Sequence, residues 1–224
     1  MNKLLFTVAV LFLTITSFAQ ISIVHEPDIQ AVPSWHVSVY GGGTYRYGEI
    51  QENLSLMEKE YLNHLKWGFN VGADVTYFLS RSFGLGVKFH DNHARAKNAY
   101  NESDAIDIWF LGPSVSYRIY SPSYKHALYV LYALGYAGFH DKVSSSWLDV
   151  VYTGGTFGRM EEIAYEYRLT PNIALGVSLS QYSGVLKKIT LHDGNGNSHQ
   201  GKLDQNQYQS LSHIDLSAGL RLSF

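Results

Sequence analysis

Apolar residues along this chain recur at every second position, over stretches longer than most globular strands. From Trp35 the odd positions read Trp35, Val37, Val39, Gly41, Gly43, Tyr45, and the even ones His36, Ser38, Tyr40, Gly42, Thr44, Arg46. A second stretch sets Trp67, Phe69, Val71, Ala73, Val75, Tyr77 and Leu79 against Lys66, Gly68, Asn70, Gly72, Asp74 and Thr76. Only an extended strand puts alternate residues on one face. The same alternation runs through 83–90, 109–119, 128–137, 162–169, 173–182 and 213–224, which makes eight predicted strands. The longer ones are about twice the usual 5–6 residues. Phase is poor between 150 and 161, which predicts a bulge near Gly154-Gly155 or Gly158.

Connections alternate in length. Short ones fall at 80–82, 121–126 and 170–172, and long polar ones at 47–64, 91–105, 141–148 and 184–206. Short turns at one end and long loops at the other describe an all-β, eight-stranded antiparallel transmembrane β-barrel of outer-membrane type. Trp67 and Tyr77 stand ten residues apart on one face. At about 3.3 Å per residue and a tilt near 40° they project to about 25 Å, the height of the apolar band of such barrels. Trp35, Trp67, Tyr77, Trp109, Tyr117 and Tyr167 are the expected interface aromatics. A soluble sandwich would carry Lys and Glu on the polar face; here that face is Gly, Ser, Thr and a few balanced charges, which suits a narrow lumen.

The first residues follow a different rule. One positive charge at Lys3, an apolar run from Leu4 to Ile15, and small Ser17 and Ala19 before Gln20 read as a secretory signal peptide, 1–19. The apolar run is too short for a membrane span, which needs about 20 residues. A periplasmic lead, 20–33, and a barrel domain, 34–224, follow. Removing Lys3 from 17 basic residues leaves 16 against 19 acids, a net charge of −3.

Composition narrows the function classes. The absence of cysteine among 224 residues excludes disulfides, thiolate metal sites and thiol catalysis. Charged residues are only 16% and aromatics 14%, with 17 Tyr, which argues against disorder. There is no basic footprint for nucleic acid.

The chain resembles the eight-stranded outer-membrane barrel superfamily of the OmpA, OmpX and opacity-protein kind. The signal peptide and the terminal strand ending on Phe224 carry the resemblance, with Phe110-Leu111-Gly112-Pro113 and Tyr167-Arg168-Leu169-Thr170-Pro171-Asn172 adding family wording. Gln20 after the cleavage site is similar to the Bacteroidetes habit. The resemblance implies a monomer in the outer membrane of a Gram-negative bacterium, in contact with lipid and lipopolysaccharide. It also implies that Phe224 is read by the barrel-assembly machinery. It says little about function, since adhesins, scaffolds and lipid enzymes share this barrel.

Eight strands leave a lumen that side chains fill. Arg46, Lys66, Lys88, Arg118, Arg168 and Arg221 face Asp74, Glu162, Glu166 and Asp215 there, and opposite charges out of water should pair. That predicts a self-plugged salt-bridge core rather than a pore. Deacylases of the superfamily resemble a His-x-Ser-Asn motif; this chain has His36-Val37-Ser38 with Val39 in place of Asn. Strand pairing sets His36 near Leu222 and His213 near Tyr45, about 30 Å apart, too far for a triad. Histidines crowd the loop end at His64, His90, His93, His140, His192 and His199, but His90-x-x-His93 on a strand does not converge on one metal. Asp193, Asn195 and Asn197 alternate as in a calcium loop, without its glycine after Asn197. No residue is therefore assigned a catalytic, cofactor-binding or metal-ligating role, and no cofactor is expected. Tyr61, Tyr100 and Trp147 among polar loop residues suit recognition of an extracellular ligand. The expected function is non-enzymatic, through long extracellular loops, in adhesion, surface protection or membrane integrity. An enzyme acting on lipid A or phospholipid and an envelope assembly partner are the alternatives.

Overall fold

In the computed structural model the described residues are 34–47, 63–97, 103–144, 149–193, 197–204 and 208–224. The signal peptide, the lead 20–33 and the loop aromatics Tyr61, Tyr100 and Trp147 lie outside them. Eight strands close on themselves: β1 (Trp35–Arg46), β2 (Trp67–Phe78), β3 (Phe83–Lys97), β4 (Ser103–Tyr120), β5 (His126–Ser144), β6 (Asp149–Arg168), β7 (Ile173–Leu186) and, after three short strands, β11 (His213–Ser223). Each pairs antiparallel with its neighbours, and β11 pairs with both β7 and β1, so no edge is left open. The remaining strands β8 (Lys188–Asp193), β9 (Ser198–Lys202) and β10 (Gln209–Ser210) sit on the rim: β8 pairs with the upper end of β6, β9 with β8, and β10 with the upper end of β7.

The barrel is inside out relative to a soluble one. Val39 is 60% exposed and its neighbour Ser38 is 0%; Leu216 is 62% exposed and Asp215 is 0%. The apolar face points outward and the polar face inward, which is stable only where the outer surface meets lipid. The six expected interface aromatics all stand on the outer surface. They form two rims, with Trp35 against Tyr77 at 5.0 Å between ring centroids on one, and Tyr45 against Trp67 at 4.8 Å on the other. The turns between β2 and β3 and between β6 and β7 use one device. Ser80 Oγ accepts from the Phe83 amide at 3.0 Å, and Thr170 Oγ1 from the Ile173 amide at 3.1 Å.

Five sequence expectations are corrected. The bulge near Gly154, Gly155 or Gly158 is absent, since β6 runs in unbroken register against β5 from Asp149 to Tyr167. Its other edge changes partner instead, from β7 up to Gly158 to β8 at Val150–Thr153, so the disturbed phase marks a fork in pairing rather than an extra residue. Most of 91–105 is not loop, because β3 continues to Lys97 and β4 begins at Ser103. Likewise 141–144 extends β5, and 184–206 contains the end of β7 and the β8–β9 hairpin. The closing register is one residue further than expected: His36 pairs with Ser223 and His213 with Arg46. Paired amide–carbonyl bonds between Trp35 and Phe224, at 2.8 and 3.0 Å, set that register and keep lumen residues opposite lumen residues.

Candidate functional site

The lumen has two floors. The one nearer the short turns is ionic. Lys88 on β3 donates to Glu162 Oε2 on β6 at 2.7 Å and lies 3.6 Å from Asp74 Oδ1 on the neighbouring β2. Its ammonium also stands over the Tyr40 ring, 4.4 Å from the centroid. Arg221 on β11 brings Nε within 3.4 Å of Glu166 Oε1 and Nη2 within 3.8 Å of Glu162 Oε1, while Nη1 donates to Ser38 Oγ at 3.0 Å. His36 spans two acids, with Nε2 3.1 Å from Glu166 and Nδ1 3.9 Å from Asp74. Three carboxylates thus share two permanent cations and one imidazole. Each charge would be costly to bury alone, and their proximity offsets that cost. Small residues make the room: a Cβ on Gly176 would fall 2.1 Å from Arg221 Nε, and one on Gly72 would strike the Tyr40 hydroxyl.

The other charged residues expected in the lumen divide by depth. Arg118 lies 3.3 Å over the Phe78 ring and donates Nε to the Arg81 carbonyl at 3.1 Å. Arg168 donates to the Tyr120 hydroxyl at 3.0 Å, at the rim of the short turns. Arg46 is at the opposite mouth, in register with His213, and Lys66 sits just before β2 and makes none of these pairs. Asp215 is deep but belongs to the upper floor. Asn92 and Ser180 face the same region, with the Ser180 hydroxyl donating to Asp215 Oδ2 at 3.2 Å.

That upper floor is a mixture the alternation did not announce. Ile106, Ile108, Phe110, Met160, Tyr182, Leu186 and Leu211 are buried together. Among them stand His90 and His213, stacked at 5.6 Å, with Tyr182 stacked on His213 at 5.2 Å. Phe110, Ile108 and Ile106 on the even face of β4 are as apolar as Leu111 and Trp109 on the odd face, so period two fades where the mouth is plugged. His213-x-Asp215 on one face of β11, opposite a polar-face His90, was the available sequence signal for the pair of imidazoles beside a carboxylate.

The remaining candidates do not assemble. His90 and His93 point to opposite faces of β3: His93 stacks on Phe69 outside and pairs with Asp91 at 3.2 Å and with Asp107. Asp193 spends both oxygens on Asn197, at 2.8 and 2.9 Å; 194–196 fall outside the described residues. Ser38 and His36 do share the lumen with acids, but the Ser38 hydroxyl is held by Arg221, and both residues are closed off from lipid and water. A nucleophile needs a base on its hydroxyl and a path for substrate, and among the described residues neither is present at Ser38.

Chains of the same shape are known. Neisserial surface protein A matches at TM-score 0.56 with 15% identity, over 85% of this chain and 97% of that one. A major outer membrane protein from Thermus thermophilus matches at TM-score 0.56 with 15% identity, over 85% and 99%. The outer membrane protein OprG from Pseudomonas aeruginosa matches at TM-score 0.54 with 11% identity, over 88% and 99%. No family model matches the chain, and no curated protein does. At these identities the likeness is one of fold, and it agrees with the outward apolar belt, the two aromatic rims and the closed register: the chain is an eight-stranded antiparallel transmembrane β-barrel of the outer-membrane type.

Proposed function

We propose that this is a non-enzymatic outer-membrane protein that works through its extracellular face, in adhesion, surface protection or membrane integrity. The observation that carries the reading is the wall above the upper aromatic rim. On β4 the chain runs six residues from Trp109 out to Ser103, β5 runs equally far past Gly138, and the β8–β9 hairpin widens the sheet sideways from the top of β6. Every residue of β9 is exposed. Among the described residues the lumen below this wall is filled by ion pairs and apolar side chains, which supports a working part on the outer face. Phe224, exposed at the end of the closing strand, suits reading by the barrel-assembly machinery, and the outer belt suits lipid and lipopolysaccharide.

The test replaces 188–202 by a short turn and scores surface attachment and envelope resistance beside the lipid A mass spectrum. The expected result is a lost surface phenotype, an intact barrel by heat-modified gel mobility, and lipid A identical with and without the protein. An acyl chain gained or lost only when the protein is present, and dependent on Ser38 or His36, would overturn the reading in favour of a lipid enzyme.

A further inference from the structure

The upper floor of the lumen is built differently from the ionic one. Asp215 is fully buried, and among the described residues its ion-pair partners are two histidines and no lysine or arginine. His90 Nε2 lies 3.4 Å from Asp215 Oδ2, and His213 Nε2 lies 3.6 Å from the same oxygen. Both Nε2 atoms are buried and make no hydrogen bond. All three groups offer atoms within 4.8 Å of one another.

The surroundings fix how each group is presented. His213 Nδ1 donates to the Leu211 carbonyl at 2.9 Å, which leaves the lone pair of the neutral ring on Nε2. Tyr40 donates its hydroxyl proton to the Phe89 carbonyl at 3.3 Å and stands 3.4 Å from His90 Nδ1. With the hydroxyl proton on the Phe89 carbonyl, the Tyr40 oxygen is free to accept from Nδ1, the tautomer that puts the His90 lone pair on Nε2 as well. Asp215 is steadied by the hydroxyls of Thr44 on Oδ1 and Ser180 on Oδ2. Two lone pairs and a carboxylate therefore converge with outer hydrogen bonds already in place, which is how proteins orient metal ligands. A tetrahedral ion with nitrogen and oxygen ligands at about 2.0–2.1 Å holds neighbouring ligand atoms about 3.4 Å apart, and the two nitrogen–oxygen separations agree with that spacing.

We propose that His90 Nε2, His213 Nε2 and Asp215 Oδ2 bind one divalent transition-metal cation inside the lumen, clamping β3 to β11. The ion supplies the charge that Asp215 lacks and separates lone pairs that would otherwise repel. Two of its ligands arrive on the last strand of the barrel, so the site is complete only when the barrel has closed. This site is independent of the extracellular wall.

The test uses the untagged full chain refolded in detergent with Zn²⁺ or Co²⁺, then dialysed free of unbound metal. Elemental analysis should find one ion per chain, and Co²⁺ should show the intense visible absorption of a tetrahedral site. His90→Gln and Asp215→Asn should weaken binding by at least about a hundredfold, while His192→Ala and His199→Ala on the exposed hairpin should not. Wild-type protein that retains no ion, or binding that survives the lumen variants and is lost with the hairpin ones, would overturn the proposal. Should the lumen variants fail to fold, the wild-type cobalt spectrum decides it: tetrahedral absorption at one ion per chain supports the site, and its absence ends it.

Discussion

Lys88 and Glu162 meet at 2.7 Å across the lumen, although 74 residues separate them in the chain and no ladder pairs their strands. The contact joins β3 to β6 through the middle of the barrel. Removing the ammonium leaves Glu162 and Asp74 buried with less compensation. Lys88→Met should therefore cost about 3–5 kcal/mol. Reversible urea unfolding in lipid vesicles measures it. A cost under about 1 kcal/mol would mean that the pair is not a support of the barrel.

Val39 faces lipid about midway between Trp35 and Tyr45 on β1. A charge there has no water and no partner. Val39→Arg should destabilise by about 2–4 kcal/mol, the range for a cation at the bilayer midplane. The same unfolding assay reads it, and an unchanged midpoint would contradict the outward orientation of this face.

Gly176 gives Arg221 its space. The added methyl of Gly176→Ala must displace the guanidinium, whose Nε would lie 2.1 Å away. Moving it loosens the 3.4 Å contact with Glu166. Overpacking of this kind costs about 1–3 kcal/mol, seen as a lowered unfolding midpoint. Equal stability of the alanine variant would show that Arg221 has another place to go.

Asp141 lies three residues beyond Gly138, the partner of Trp109, and so outside the membrane-spanning part. Burial beside Asp104 pushes its carboxyl up to about 6, with Arg46 pulling the other way. A folded value above the unfolded one means that the native state holds the proton more tightly. The stabilisation is present below the ordinary carboxylate range and is lost as pH rises from about 4 through 6. Asp141→Asn should remove that slope and raise stability at neutral pH by about 1–2 kcal/mol, less than the full shift implies because the carboxyl keeps some solvent. Parallel stability–pH curves for the two proteins would refute this.

Much of this protein is legible without its structure, because in a strand the side-chain period is two and each residue's face follows from its position. Trp67 to Tyr77 against Asp74 and Lys66 is enough to call for a barrel with apolar residues outward, and the spacing of the aromatics sets its height. The short turns at Ser80 and Thr170 are local hydroxyl devices and are read locally. The lumen charges Lys88, Glu162, Asp74 and Arg221 can be assigned to one face in the same way.

Which of them meet is a different matter. Contacts across a closed barrel depend on the stagger of eight strands, a sum of registers that no local pattern encodes. A one-residue difference in the closing pair, His36 with Ser223, moves every partner on β1 and β11. The fork of β6 from β7 to β8 and the growth of 91–105 into strand are likewise settled by pairing partners distant in sequence. So is the meeting of His90 with His213 and Asp215. Period two sends all three inward, but only closure of the barrel brings β11 round to lie across from β3.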